Sequence, residues 1–77
     1  MNVAGKKFYV SVDLEGMACV VGNYGQGLGD GKNYAFACAQ GSREAAAAAG
    51  ALLDCGAAGV TVWDCHGTGV NLDYNLF

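Results

Sequence analysis

Four side chains have the types and spacing to do chemistry. Asp13 and Glu15 lie in Ser11-Val12-Asp13-Leu14-Glu15-Gly16, and Asp64 and His66 in Val60-Thr61-Val62-Trp63-Asp64-Cys65-His66-Gly67. Two carboxylates and an imidazole, brought together, form an oxygen-and-nitrogen set suited to zinc or a similar divalent ion. Buried without a cation, Asp13 and Glu15 would repel each other, and one would tend to take up a proton. With three protein ligands and an open position, such an ion lowers the pKa of a bound water to about 7 and holds a scissile carbonyl as a Lewis acid. Asp64 is expected to play a supporting part, capping the following turn or orienting His66. Plainer readings exist for each residue alone: a histidine hydrogen-bonded in a turn, a solvated strand end, and a D-x-E match that arises often by chance.

Both stretches share a plan that predicts short strands. β-branched and aromatic residues are bounded by glycine, and polar side chains two apart appear only where each strand should end. Lys6 to Val12 reads as the first strand, with Phe8, Tyr9, Val10 and Val12 supplying strand propensity. Its apolar residues on both faces suggest a central parallel strand, and Met1 to Gly5 before it reads as a loose terminus. Met17 to Lys32 carries Gly22, Gly25, Gly27, Gly29 and Gly31 and reads as a long loop. Loops beyond about 12 to 15 residues in compact domains are usually functional or mobile.

Asn33 to Cys55 is predicted helical, with its best-supported half beginning near Ser42, whose hydroxyl is placed to cap a first turn containing Arg43 and Glu44. The alanines at 45 to 49 favour a helix and allow close approach to a sheet, while Leu52 and Leu53 supply larger contacts. Gly56 is placed to end the helix in the left-handed conformation. Gly41 leaves open whether Tyr34 to Gln40 is continuous with the rest or a separate short piece. Strand, helix, strand is a βαβ unit with parallel strands, hence an α/β fold. Neighbouring strands roughly 4.8 Å apart would bring Asp13 and Glu15 together with Asp64 and His66 at the carboxyl edge, where open α/β sheets place ligands.

With 77 residues the chain is at most one small domain with a limited core. It stops soon after the second motif with no helix to cover the strand just made, so a truncated or partial chain is expected. The basic residues Lys6, Lys7, Lys32 and Arg43 are scattered and the formal charge is -3, which leaves no electrostatic footprint for nucleic acid. The stretch before Asp13 is too short for a signal peptide or a bilayer span, so a cytoplasmic protein without membrane contact is expected. Cys19, Cys38, Cys55 and Cys65 show no C-x-x-C spacing. Cys38 and Cys55 read as small apolar fillers, whereas Cys65 lies between Asp64 and His66.

The order Ser11-Val12-Asp13-Leu14-Glu15-Gly16, Gly31-Lys32-Asn33-Tyr34, the helix through Glu44 and Ala45, Gly56, Asp64-x-His66-Gly67 and Asn71-Leu72 resembles the start of the D-aminopeptidase family of zinc metallopeptidases, the dipeptide-transport-operon type. The resemblance covers nearly the whole chain. It implies that this βαβ unit is a fragment of a three-layer αβα sandwich and that the family holds two zinc ions per site. Asp13 resembles the carboxylate bridging both ions, and Glu15 and His66 resemble further ligands of one of them. The family's other histidine and glutamate ligands and its catalytic histidine lie later in a longer chain, so no catalytic residue is assigned here. The implied activity is hydrolysis of short peptides, with D-residue preference resting on the resemblance alone, and a homo-oligomer is compatible with it.

Three other readings compete. A phosphate-binding glycine loop would need glycine at Gln26 and Ser or Thr at Asn33 in a motif ending at Gly31-Lys32, so nucleotide binding is disfavoured. An aspartyl-phosphate phosphatase would use Asp13 as nucleophile, but Glu15 and Met17 depart from the haloacid-dehalogenase pattern. The third is a non-catalytic βαβ scaffold whose exposed sheet edges join another copy.

Overall fold

A computed structural model describes residues 2–22, 28 and 31–77. Strand β1 spans Lys7–Val12, helix α1 Gly31–Asp54 and strand β2 Gly59–Asp64, followed by a 3-10 turn at Tyr74–Leu76. The strands are parallel neighbours, with Lys7 opposite Gly59 and Val12 opposite Asp64. The expected βαβ unit is therefore present, with α1 as its crossover. Among the described residues no helix is long and apolar enough to cross a membrane.

One face of the sheet meets α1. Val12 is buried with Ala45 and Leu72, and Val10, Met17 and Val62 pack around them. The other face is open: Tyr9 and Trp63 are 64% and 53% exposed, and their rings meet at 6.0 Å with a 59° tilt. This corrects the expectation of a first strand apolar on both faces because both are covered. A single helix covers a single face, and the described residues provide only one. A groove of about 730 Å³ runs between α1 and β2, with Leu53, Val62, Trp63, Leu76 and Phe77 in its walls.

Helix α1 differs from its prediction in ways that packing explains. It starts at Gly31 and passes through Gly41 without interruption. A Cβ at Gly41 would lie 2.7 Å from Leu14 Cδ2, and Leu14 is fully buried. Gly41 is thus a notch that seats Leu14, and with Ala37, Ala45 and Ala49 it forms a small-residue row at i, i+4 spacing that lets the helix approach closely. Ser42 is no cap: it sits mid-helix, donates its hydroxyl to Cys38 O at 2.6 Å and accepts the Asp73 N–H at 2.8 Å. The hydroxyl pins the C-terminal segment to the helix. Leu53 is half exposed on the groove, not a core contact, and Cys55 is exposed, not a filler. Cys38 is half-buried beside Leu14, Val20 and Ala37.

The end of α1 is as expected. Gly56 has φ +94°, its N–H reaches Leu53 O, and the Ala57 N–H reaches Leu52 O, both at 3.0 Å. That pair of bonds satisfies the last carbonyls of the helix. The stretch before β1 is tied down as well, since the Gly5 N–H donates to Gly56 O at 2.9 Å and the Ala58 N–H to Lys6 O at 2.7 Å. The predicted glycine loop also divides. Leu14 to Val20 forms compact turns, with Met17 N–H to Leu14 O, Gly16 N–H to Val20 O and Val20 N–H to Met17 O, while Gly31 already belongs to α1. Gly25, Gly27 and Gly29 lie outside the described residues.

Candidate metal centre

β1 ends at Val12, so Asp13 and Glu15 leave the strand and enter the turn that carries Leu14 into the core. That turn, and not the alternation of a strand, is what brings the two carboxylates together. Leu14 points down into the notch at Gly41 and is fully buried, while its two neighbours Asp13 and Glu15 stay exposed. The Leu14 N–H donates to Asp13 Oδ1 at 2.8 Å and fixes that carboxylate. Glu44 steadies the far side of the turn from α1, accepting the Ala18 N–H at 2.9 Å and the Gln40 amide at 3.0 Å.

β2 likewise ends at Asp64, and His66 follows two residues beyond. Its Nδ1 lies 2.9 Å from Asp13 Oδ1 and 3.0 Å from Glu15 Oε1. One ligand atom from each of Asp13, Glu15 and His66 falls within 4.8 Å of the others. The structure thus brings together the three residues singled out as ligands. With its proton on Nδ1, the imidazole donates to the facing carboxylates. The hydrogen bond from His66, followed by that from the Leu14 amide, holds the Asp13 carboxyl below its ordinary pKa despite some burial.

Three converging donors of this kind fit a divalent cation. A half-buried imidazole nitrogen and two exposed carboxylates are the hard and borderline ligands zinc accepts, and the carboxylates keep one side of the set open to solvent. Among the described residues no second cluster of this kind is found. Cys65 stays outside it: its thiol lies 3.0 Å from Val12 O and 3.3 Å from Ser11 Oγ.

Asp64 does not join the donors. It is buried, and its carboxylate accepts the Asn71 N–H at 2.6 Å, the Asn71 side-chain amide at 2.8 Å and the Leu72 N–H at 2.9 Å. Burial pushes its carboxyl pKa up, but hydrogen bonds from the Asn71 side chain and from the Asn71, Leu72 and His66 amides outweigh that and hold it below the ordinary value. Asp64 therefore closes the loop that carries His66 onto the end of β2.

Two residues given no role by sequence spacing complete this arrangement. Asn71 donates its side-chain amide to His66 O, and Tyr34 on α1 donates its hydroxyl to Asn71 Oδ1. The Tyr34 ring stands 6.2 Å from the His66 ring. No spacing rule links positions 34, 66 and 71, because the crossover helix brings them together. The groove beside β2 is a different place, since none of Asp13, Glu15 and His66 lines it.

The family model described as D-aminopeptidase matches residues 6–77. No curated protein and no solved structure matches the chain. The matched span holds both strands, the crossover helix and all three converging donors, and with nearly the whole sequence covered the chain belongs to the D-aminopeptidase family, a family of peptidases.

Proposed function

We propose that this chain supplies the first part of the zinc site of a cytoplasmic aminopeptidase acting on short peptides, including peptides with D-residues at the N-terminus. The observation that carries the reading is the convergence of Asp13, Glu15 and His66 donor atoms within 4.8 Å. Family membership supports the peptidase assignment and, through its description, the D-residue preference. Four cysteines without a disulfide fit a reducing compartment.

Asp13, Glu15 and His66 would hold the ion, and the resemblance implies that Asp13 would also serve a second one. Donors for that second ion would come from residues outside these 77, as the resemblance implies. The bound ion would supply Lewis-acid polarisation of the scissile carbonyl and a more acidic water. This chain's own residues fix the donor geometry: Leu14 anchors the turn between the two carboxylates, and the Asp64 clamp holds the histidine loop. A scaffold without catalysis would have no need of that arrangement.

Equilibrium dialysis against zinc tests the reading. With only three donors the chain should bind zinc weakly, and Asp13→Ala or His66→Ala should lose that binding while keeping the fold by circular dichroism. Zinc uptake indifferent to both substitutions would overturn the assignment and favour a scaffold. In any longer polypeptide that carries this chain, Asp13→Ala should abolish metal-dependent peptide hydrolysis.

A further inference from the structure

We propose that Asn71, locked in place by Tyr34, is a positioning residue that sets where the His66 imidazole stands. The proposal rests on the metal-site reading for its purpose and on hydrogen bonding for its geometry.

His66 needs an external restraint. It lies beyond the last residue of β2, in a loop where Gly67 and Gly69 adopt φ +49° and +78°, so no sheet ladder holds its backbone. Its carbonyl accepts the Gly69 N–H at 3.0 Å and its N–H reaches Asp64, contacts that close the loop on itself without tying it to α1. Asn71 supplies the restraint. It is 7% exposed, and one side-chain amide nitrogen spans Asp64 Oδ1 at 2.8 Å and His66 O. The opposite end of the same amide accepts the Tyr34 hydroxyl. Its backbone N–H is spent on Asp64 Oδ2 at 2.6 Å.

Only an asparagine meets all these demands at this reach. Aspartate has no N–H to offer His66 O and would put a second carboxylate against Asp64. Alanine and serine cannot span both acceptors. The two acceptors decide which way the amide faces: Asp64 Oδ1 and His66 O require the nitrogen end, which leaves the oxygen end to accept the Tyr34 hydroxyl. Tyr34 acts on His66 a second time, because its ring stands beside the imidazole at 6.2 Å with a 34° tilt. The histidine is thus held by its backbone through Asn71, while its ring is bonded at Nδ1 to Asp13 and Glu15 and flanked by Tyr34. The Asn71 and Tyr34 contacts both trace to the first turns of α1, so that helix end, far from the donors in sequence, helps set the donor position.

The test uses the full chain, titrated with cobalt as a spectroscopic probe of the donor set, beside nuclear Overhauser contacts between the Tyr34 and His66 rings in the metal-free chain. Asn71→Ala should weaken cobalt binding about 10- to 100-fold, the range for groups that orient metal-binding histidines, and should remove the ring contacts. Tyr34→Phe keeps the ring and removes only the hydroxyl. It should weaken binding several-fold with little change in fold, and it remains informative if Asn71→Ala does not fold. Leu72→Ala is the control, since Leu72 is buried in the same segment but its side chain takes no part in the network; its cobalt affinity and ring contacts should stay within a factor of about two of the parent. Unchanged affinity or intact ring contacts in both Asn71→Ala and Tyr34→Phe would overturn the proposal, as would an equal loss in Leu72→Ala. A parent chain that takes up no cobalt would overturn the metal-site reading instead, and the ring contacts alone would then decide whether Asn71 positions His66.

Discussion

Asp64 and Asp13 sit one residue apart in the register of two paired strands, yet their surroundings are opposite. Asp64 is buried and meets only donors: two backbone amides and the Asn71 side chain approach it within 2.9 Å. Asp13 has an exposed side chain and meets a second carboxylate across one imidazole nitrogen. The first carboxylate is satisfied by the chain itself and acts as a clamp. The second has acceptor capacity that the chain does not fill, and two like charges side by side attract a cation. Solvent access and partner type, more than residue identity, separate a structural carboxylate from one left open to a cation.

The contrast can be broken most severely at the closed end. Asp64→Ala leaves three donors without an acceptor, which at about 1–3 kcal/mol per buried unpaired group should cost on the order of 3 kcal/mol or more. Urea unfolding monitored by circular dichroism should show a large fall in midpoint or loss of the folded baseline. The open end should respond in the opposite sense to added zinc. At a free concentration about a hundredfold above its dissociation constant, zinc should stabilise the parent by about 2.7 kcal/mol. Thermal melts with and without zinc should separate for the parent and coincide for His66→Ala.

A substitution between the two regions sharpens the comparison further. Gly41→Ala would drive a Cβ to 2.7 Å from Leu14 Cδ2. Overpacking costs of about 1–3 kcal/mol outweigh a gain of about 1 kcal/mol in helix propensity, so a net loss of about 1 kcal/mol is expected in urea. Because Leu14 anchors the turn between Asp13 and Glu15, zinc affinity should fall in the same variant. An unchanged affinity would show that the donors tolerate movement of that anchor.

Acid should act on both carboxylates with the same sign and different sizes. Each has a folded pKa below its ordinary value, so each contributes stability above about pH 4, the unfolded aspartate range, and that contribution is lost as pH falls through the lowered folded pKa. Most of the acid sensitivity should belong to Asp64. The smallest effect is expected for Asp13→Ala without metal, less than about 0.5 kcal/mol, because the contacts of an exposed carboxylate are screened by solvent. Urea midpoints at neutral and acid pH for the two variants check this order.

Much of this was legible in local patterns. Two β-branched runs ending in D-x-E and D-x-H marked the strands, the alanines marked the helix, and Gly56 marked its end, because each depends on a few neighbouring residues. The interior of α1 was not legible. Gly41 and Ser42 look like a break and a cap when only their own preferences are weighed, and their real partners, Leu14 and Asp73, are 27 and 31 positions away. The roles of Asn71 and Tyr34 were hidden for the same reason.

The sequence by itself determined which residues could serve as donors and that they fall at the ends of two parallel strands, since propensity and period are short-range properties. Only the tertiary structure decided that Asp13, Glu15 and His66 meet while Asp64 turns inward. That choice depends on where the chain goes after each strand ends: Leu14 drops into the notch at Gly41, and Asn71 returns to close the loop beneath His66. Contacts across a crossover helix of 24 residues cannot be read from spacing along the chain, because the packing of the helix against the sheet sets them.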